Sequence, residues 1–257
     1  MKRLVGLMKK MSKQNRTLLI TLMLSVVAGV LSIGQASGAI ALDRTRAIFP
    51  GSEKSISLNI SNVSNQKPYL AQAWLEDEKG KKLTDILTVT PALQRLEPGG
   101  KSVIRISALP TAASLPQDRE SLFYFSVREI PPKSERSNVL QVALQTRIKL
   151  FYRPAGILPE RYSRQDDKLI LHKVSGGYRI ENPTPFYMTV LGISGGPTQS
   201  VAKDFKSVMI APKSSEIVRT SNFSKPYVVT VNDFGGKPGL SFNCSGDICR
   251  AAVDERR

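Results

Sequence analysis

Beyond about residue 39, apolar and polar side chains alternate with period two, in short runs separated by turn-forming residues. "KSISLNISN", "YLAQAWLED", "KSVIRISAL" and "SLFYFSVREI" place apolar side chains on alternate positions, as a strand with one buried face requires. "PGSE", "EKGKK", "LEPGG" and "PPKSERS" fall between or after them, and such Gly, Pro and charge clusters form turns. A 3.6-residue helical period is nearly absent. Turns at intervals of roughly 8–12 residues predict an all-β chain built as antiparallel sandwiches.

One run is longer than a sandwich needs. In "NVLQVALQTRIKLFYRP", Asn138 to Pro154, the apolar positions are Leu140, Val142, Leu144, Ile148 and Leu150, and Gln141, Gln145, Arg147 and Lys149 alternate with them. The mean strand has only about five or six residues. The excess is an exposed apolar edge, and unpaired strand edges recruit other chains. Such an edge offers a partner both backbone pairing and a row of side chains. For any one of these residues, filling the sandwich core is the competing explanation.

A second strand-like series follows "YRPAGILPERY": "KLILHKV", "GYRIENP", "YMTVLGI", "SVMIAP", "SEIVRT", "YVVTVNDFGG" and "LSFNCSGDICRAAV". Two sandwiches are therefore expected, over residues 39–157 and 158–257, with a cleft between them suited to binding.

Residues 1–38 read as a signal peptide. "MKRLVGLMKKMSKQNR" is basic without acidic residues, "TLLITLMLSVVAGVLSI" is apolar, and small residues follow from Ala36 to Ala39. An uncleaved anchor is the alternative, and Met8 or Met11 competes with Met1 as the start. The segment carries six of the sixteen net positive charges, so the remainder is still at +10. That excess points to an anionic partner. Nucleic acid is disfavoured, because the basic residues are dispersed and not interleaved with stacking aromatics.

Export also governs the cysteines. Cys244 and Cys249, in "FNCSGDICR", form a close pair, which in an oxidising compartment reads as a disulfide across a hairpin turned by "SGDI". A redox site would prefer Cys-x-x-Cys spacing, and a metal site needs more ligands than the one histidine supplies. Catalysis finds little support. "GISGG" fits the nucleophile-elbow pattern at Ser194, but that motif requires a strand–turn–helix setting. His172 lies in a strand-like run. No enzyme, metal or cofactor is expected.

Longer stretches carry a resemblance. "LDRTRAIFPGSEKSISLNISN", "LQRLEPGGKS", "LPQDRESLFYFSVREIPP", "LQVALQTRIKLFYRP" and "GGYRIENPTPFY" resemble the PapD-like periplasmic pilus chaperones of the chaperone–usher pathway, across essentially all of the chain from Ala39 to the cysteine pair. The resemblance implies two immunoglobulin-like domains set in an L. It also implies that the long run completes an unfinished pilin by donating a strand, with Leu140, Val142 and Leu144 as donors and Ile148 as an extension. It assigns Arg46 and Lys149 to holding the pilin's C-terminal carboxylate. On their own, both would read as solvated surface charges. Glu120, Arg153 and Asp233 match an ion-pair network linking the domains. Ser126 replaces an asparagine usual in the family and can supply one polar contact in its place. The short "PPKSERS" connection suggests the subclass serving rod-like, adhesive-tipped pili.

The expectation is a periplasmic, non-enzymatic chaperone that binds pilins one to one and delivers them to an outer-membrane usher, with a self-capping dimer as an option when free. The rivals are a secreted adhesion or structural module and a hydrolase using Ser194 and His172.

Overall fold

The computed structural model describes residues 38–135, 138–160, 163–203 and 205–252. Apart from Gly38, the segment read as a signal peptide lies outside them.

The amino-terminal sandwich contains β1 (Ile40–Leu42), β2 (Arg46–Pro50), β3 (Ser55–Asn62), β4 (Tyr69–Glu76), β5 (Leu87–Thr90), β6 (Leu93–Leu96), β7 (Lys101–Ala108), β8 (Ser121–Ile130) and β9 (Gln145–Arg153). They form two sheets, ordered β1-β3-β7-β5 and β2-β9-β8-β4-β6. Alternation decides which face turns inward. Along β7, Ile104 and Ile106 are buried while Lys101, Val103 and Arg105 face solvent. With Leu58 and Ile60 of β3 they meet Leu75, Phe125, Val127, Ile148 and Leu150 from the opposite sheet. Each large aliphatic side chain buried there contributes roughly 1.5–3 kcal/mol.

The second sandwich contains β10 (Ile170–Val174), β11 (Gly177–Asn182), β12 (Met188–Ser194), β13 (Val208–Ile210), β14 (Ser214–Arg219), β15 (Tyr227–Val231), β16 (Gly239–Ser245) and β17 (Ile248–Ala251). Its strands form one ladder, β13-β12-β15-β16-β17-β10-β11-β14, shared between two layers. The switch is β16, whose residues Gly239–Ser241 pair with β15 and whose residues Phe242–Ser245 pair with β17. Around this bend Leu171, Tyr178, Ile180, Val190, Val218, Val228 and Phe242 form a separate core. The β16–β17 hairpin turns at Gly246, whose φ of 61° favours glycine. Cys244 and Cys249 face each other across it and are joined by a disulfide.

The long alternating run does not form one long strand. Pairing with β8 ends at Arg128↔Gln145, and one further bond runs from the Glu129 N–H to the Leu144 carbonyl. Beyond Ile130 the neighbouring chain is Pro131–Pro132, which has no N–H to offer, so the ladder stops. Residues 140–144 leave the sheet as irregular chain.

Candidate functional site

The parallel pair β2–β9 organises the site. Its register runs from Arg46↔Lys149 to Pro50↔Arg153. Because β2 begins at Arg46, residues Gln145–Ile148 of β9 pair only with β8, and their other edge is open among the described strands. The two cations therefore stand where the open edge starts.

Both are half-buried and, among the described residues, in no ion pair. Arg46 Nη1 donates to the Val231 carbonyl at 3.4 Å, while its Nε is buried without a hydrogen-bond partner among the described residues. Burial, and then the Arg46 charge, push the Lys149 ammonium below the usual lysine range. Burial likewise lowers Arg46, with Asp233 and Glu120 partly offsetting it. A guanidinium nevertheless stays charged. Two partly desolvated cations side by side repel, and an anion bound between them would relieve that repulsion.

Close by, β9 meets the second sandwich. Arg153 donates from Nε to Glu120 Oε1 at 2.8 Å, and from Nη1 and Nη2 to the Asp233 carboxylate at 2.7 and 3.1 Å. Its guanidinium also lies 4.7 Å from the Phe186 ring centroid. Glu120 Oε2 accepts the Tyr187 N–H at 2.7 Å, and the Phe151 and Tyr187 rings lie 5.5 Å apart. Arg153 and Glu120 are buried, and Asp233 is partly exposed. Burial works against the Arg153 charge, but Asp233 and Glu120 outweigh it and raise its pKa. The network carries residues 120 and 153 of one sandwich against 187 and 233 of the other.

Leu140, Val142 and Leu144 are 89%, 62% and 43% exposed. Ile148 differs. It is 6% exposed and packs in the amino-terminal core. Its side chain is already committed to the sandwich, so it does not extend the exposed row of Leu140, Val142 and Leu144. The reason is its strand: at Ile148, β9 is paired with Phe125 of β8, two core residues on one inward face.

Other residues near the site carried little signal. Phe234 is 87% exposed in a turn held by Asn232 Oδ1, which accepts the Phe234 and Gly236 N–H groups. Gly235 (φ 81°) follows it, and a Cβ there would lie 2.5 Å from Thr45 Oγ1, so glycine lets this turn approach Thr45, just before β2. A lone aromatic beside two glycines in "VNDFGG" was the available hint. On the outer face of β9, Arg147 Nε and Trp74 Nε1 each donate to Glu76 at 2.6 Å. Ser126 Oγ also donates to Glu76, at 3.3 Å, and Arg147 stacks 3.4 Å from the Tyr124 ring centroid.

The residues of the hydrolase reading are otherwise engaged. Ser194 Oγ donates to the Gly196 carbonyl, and His172 Nε2 lies 2.8 Å from Glu181. The next described element after Ser194 is a strand, not the helix that an elbow needs.

Comparison with known proteins agrees with this fold. The family described as "Pili and flagellar-assembly chaperone, PapD N-terminal domain" matches residues 39–158, and "Pili assembly chaperone PapD, C-terminal domain" matches residues 165–242. The chain is 56% identical to "Chaperone protein PapD" of Escherichia coli over 218 residues, covering 84% of this chain and 91% of that protein. It is similar in structure to the periplasmic chaperone SfaE (TM-score 0.65, 31% identity, 79% of this chain and 98% of that one). The CupB2 chaperone of Pseudomonas aeruginosa is similar too (TM-score 0.66, 31% identity, 83% and 100%). These relatives are chaperones, not enzymes, and the chain belongs to the PapD family of pili assembly chaperones.

Proposed function

We propose that this chaperone acts in the periplasm, binds pilin subunits one to one, and passes them to an outer-membrane usher. The observation that carries the reading is the position of Arg46 and Lys149 at the start of the open edge of β9. A pilin whose C-terminal carboxylate sits between the two cations would have its preceding residues directed along Ile148, Gln145 and Leu144. Such a chain runs in the same direction as β9, so the pairing is parallel.

Leu140, Val142 and Leu144 then enter the groove of a pilin that lacks its last strand. Full burial of each is worth roughly 1.5–3 kcal/mol, which matters against a domain stability of about 5–15 kcal/mol. The carboxylate also sets register, because a one-residue slip would present the polar alternate positions instead. Arg153, Glu120 and Asp233 hold the two sandwiches in a fixed relation around this anchor.

The test is co-expression with a pilin, comparing wild type with Lys149→Ala. The expected result is a soluble one-to-one complex that is lost in the variant while the variant itself stays folded. Equal recovery of pilin with wild type, variant or no chaperone would overturn the reading.

A further inference from the structure

At the end of the amino-terminal sandwich where residues 140–144 leave the sheet, a carboxylate is buried without a cation among the described residues. Glu129, on β8, is 6% exposed, and among the described residues it takes part in no ion pair. One of its oxygens, Oε2, accepts two successive backbone groups, the Ala39 N–H at 2.5 Å and the Ile40 N–H at 3.0 Å. Its own N–H is bonded to the Leu144 carbonyl at 3.0 Å, the last sheet bond before the donor segment departs. Ala39 and Ile40 are themselves buried, and the Ala39 carbonyl accepts the Val63 N–H at 2.8 Å. A buried carboxylate is costly unless paired, and two neutral amides compensate it only in part.

The nitrogen nearest this carboxylate is the one that processing would charge. Ala36, Ser37 and Gly38 precede it, a small-residue pattern of the kind that signal peptidases cleave. We infer that Glu129 is a receptor for the α-ammonium of Ala39, formed by cleavage of the Gly38–Ala39 bond, and that this ion pair clamps the root of the donor segment. Hydrolysis adds water across that peptide bond. Gly38 leaves with a carboxylate, and the Ala39 amine takes up the proton that the new carboxyl releases. A neutral amide donor becomes a cation at hydrogen-bond distance from a buried anion, and charge-assisted bonds are roughly twice as strong as neutral ones. Export processing would thereby strengthen the fold beside residues 140–144.

The inference rests on the reading of residues 1–38 as a cleaved segment, and the experiment separates the two. Mass spectrometry of the exported protein first identifies its amino terminus, and a terminus other than Ala39 overturns the inference at that step. The mature chain is then compared with a chain retaining Gly38, each with Glu129 or Glu129→Gln. The expected result is a lower urea midpoint for the Gly38 chain, with exchange of the Glu129 amide faster by about tenfold, the least that a charge-assisted bond confers. Both differences disappear in Glu129→Gln. Equal midpoints for the two Glu129 chains, or a difference that persists in the variant, would overturn the ion pair. If Glu129→Gln does not fold, acylation of the α-amine at neutral pH decides. A rate about tenfold below that of the Gly38 chain supports the pair, and equal rates refute it.

Discussion

Arg46 and Lys149 occupy partnered positions on two parallel strands, so a guanidinium and an ammonium share one partly desolvated place with no carboxylate paired to either among the described residues. Like charges this close disfavour one another. On the proposed reading the pair receives an anion, and the properties expected of it follow from the repulsion it contains.

Anion binding should weaken at high pH earlier than an ordinary lysine would allow. Lys149 is lowered, by burial first and Arg46 second, so it loses its proton below the ordinary lysine value. In the free chain, a lysine lowered on folding is a penalty below its folded pKa, and that penalty is lifted as pH rises through it. Binding has the opposite dependence, because the carboxylate needs the charge. A peptide ending in a pilin C-terminus should bind well at neutral pH and detach as pH rises through the lowered Lys149 value. Lys149→Arg should keep binding to higher pH, as measured by fluorescence anisotropy.

Replacing Lys149 by Met should separate stability from function. Removing one of two adjacent cations relieves repulsion, so the urea midpoint of the free chaperone should be unchanged or higher. Affinity for the carboxylate peptide should nevertheless fall at least about tenfold, since a charged hydrogen bond is lost. A variant that both unfolds and fails to bind would show that Lys149 serves the fold.

The three interdomain residues should differ in weight. Glu120→Ala breaks the buried half of the network and leaves Arg153 with only the partly exposed Asp233, so it should cost up to about 3–5 kcal/mol. Asp233→Ala should cost less, because Asp233 is partly exposed and Arg153 keeps Glu120. Urea unfolding of both variants tests the order, and a larger loss in Asp233→Ala would contradict this account.

Acid should weaken the outer face of β9 through Glu76. Burial works against its charge, but the bonds from Arg147, Trp74 and Ser126 outweigh it and lower its pKa. A carboxyl lowered on folding contributes stability above its unfolded pKa and loses it as pH falls through the folded value. Glu76→Gln should therefore flatten the acid limb of a stability–pH profile while leaving urea midpoints near pH 3 closer to wild type than those at neutral pH.

The strands were readable because each inward residue, such as Ile104 or Phe125, recurs with period two between turn formers. Where β9 begins was not. Periodicity reports which face is apolar, and Leu140, Val142 and Leu144 continue the pattern of Ile148 and Leu150 without a break. What stops the ladder is the missing N–H of Pro131 and Pro132, which follow β8. The Arg46–Lys149 pair was invisible to composition for a similar reason: 103 positions separate the two residues, and only the parallel pairing brings them together. The role proposed for them entered through resemblance. Glu129 gave no hint at all, because its partners are backbone groups about ninety residues away.

The division between Ile148 and the exposed trio yields the most direct test of strand donation. Ile148→Ala empties a filled core position and should destabilise the chaperone by about 2–5 kcal/mol. Leu140→Ala and Val142→Ala remove exposed side chains, and changes of that kind usually stay within about 0.5 kcal/mol. Combined with Leu144→Ala, they should leave unfolding of the free chain nearly unchanged. Yet the same triple variant should fail to keep a co-expressed pilin soluble, since three groove-filling side chains are gone. Measuring the urea midpoint and the pilin yield on one set of variants separates the two effects. If the triple variant held pilin as well as wild type, the run from Leu140 to Leu144 would not be the donated strand, and the open edge of β9 would need another occupant.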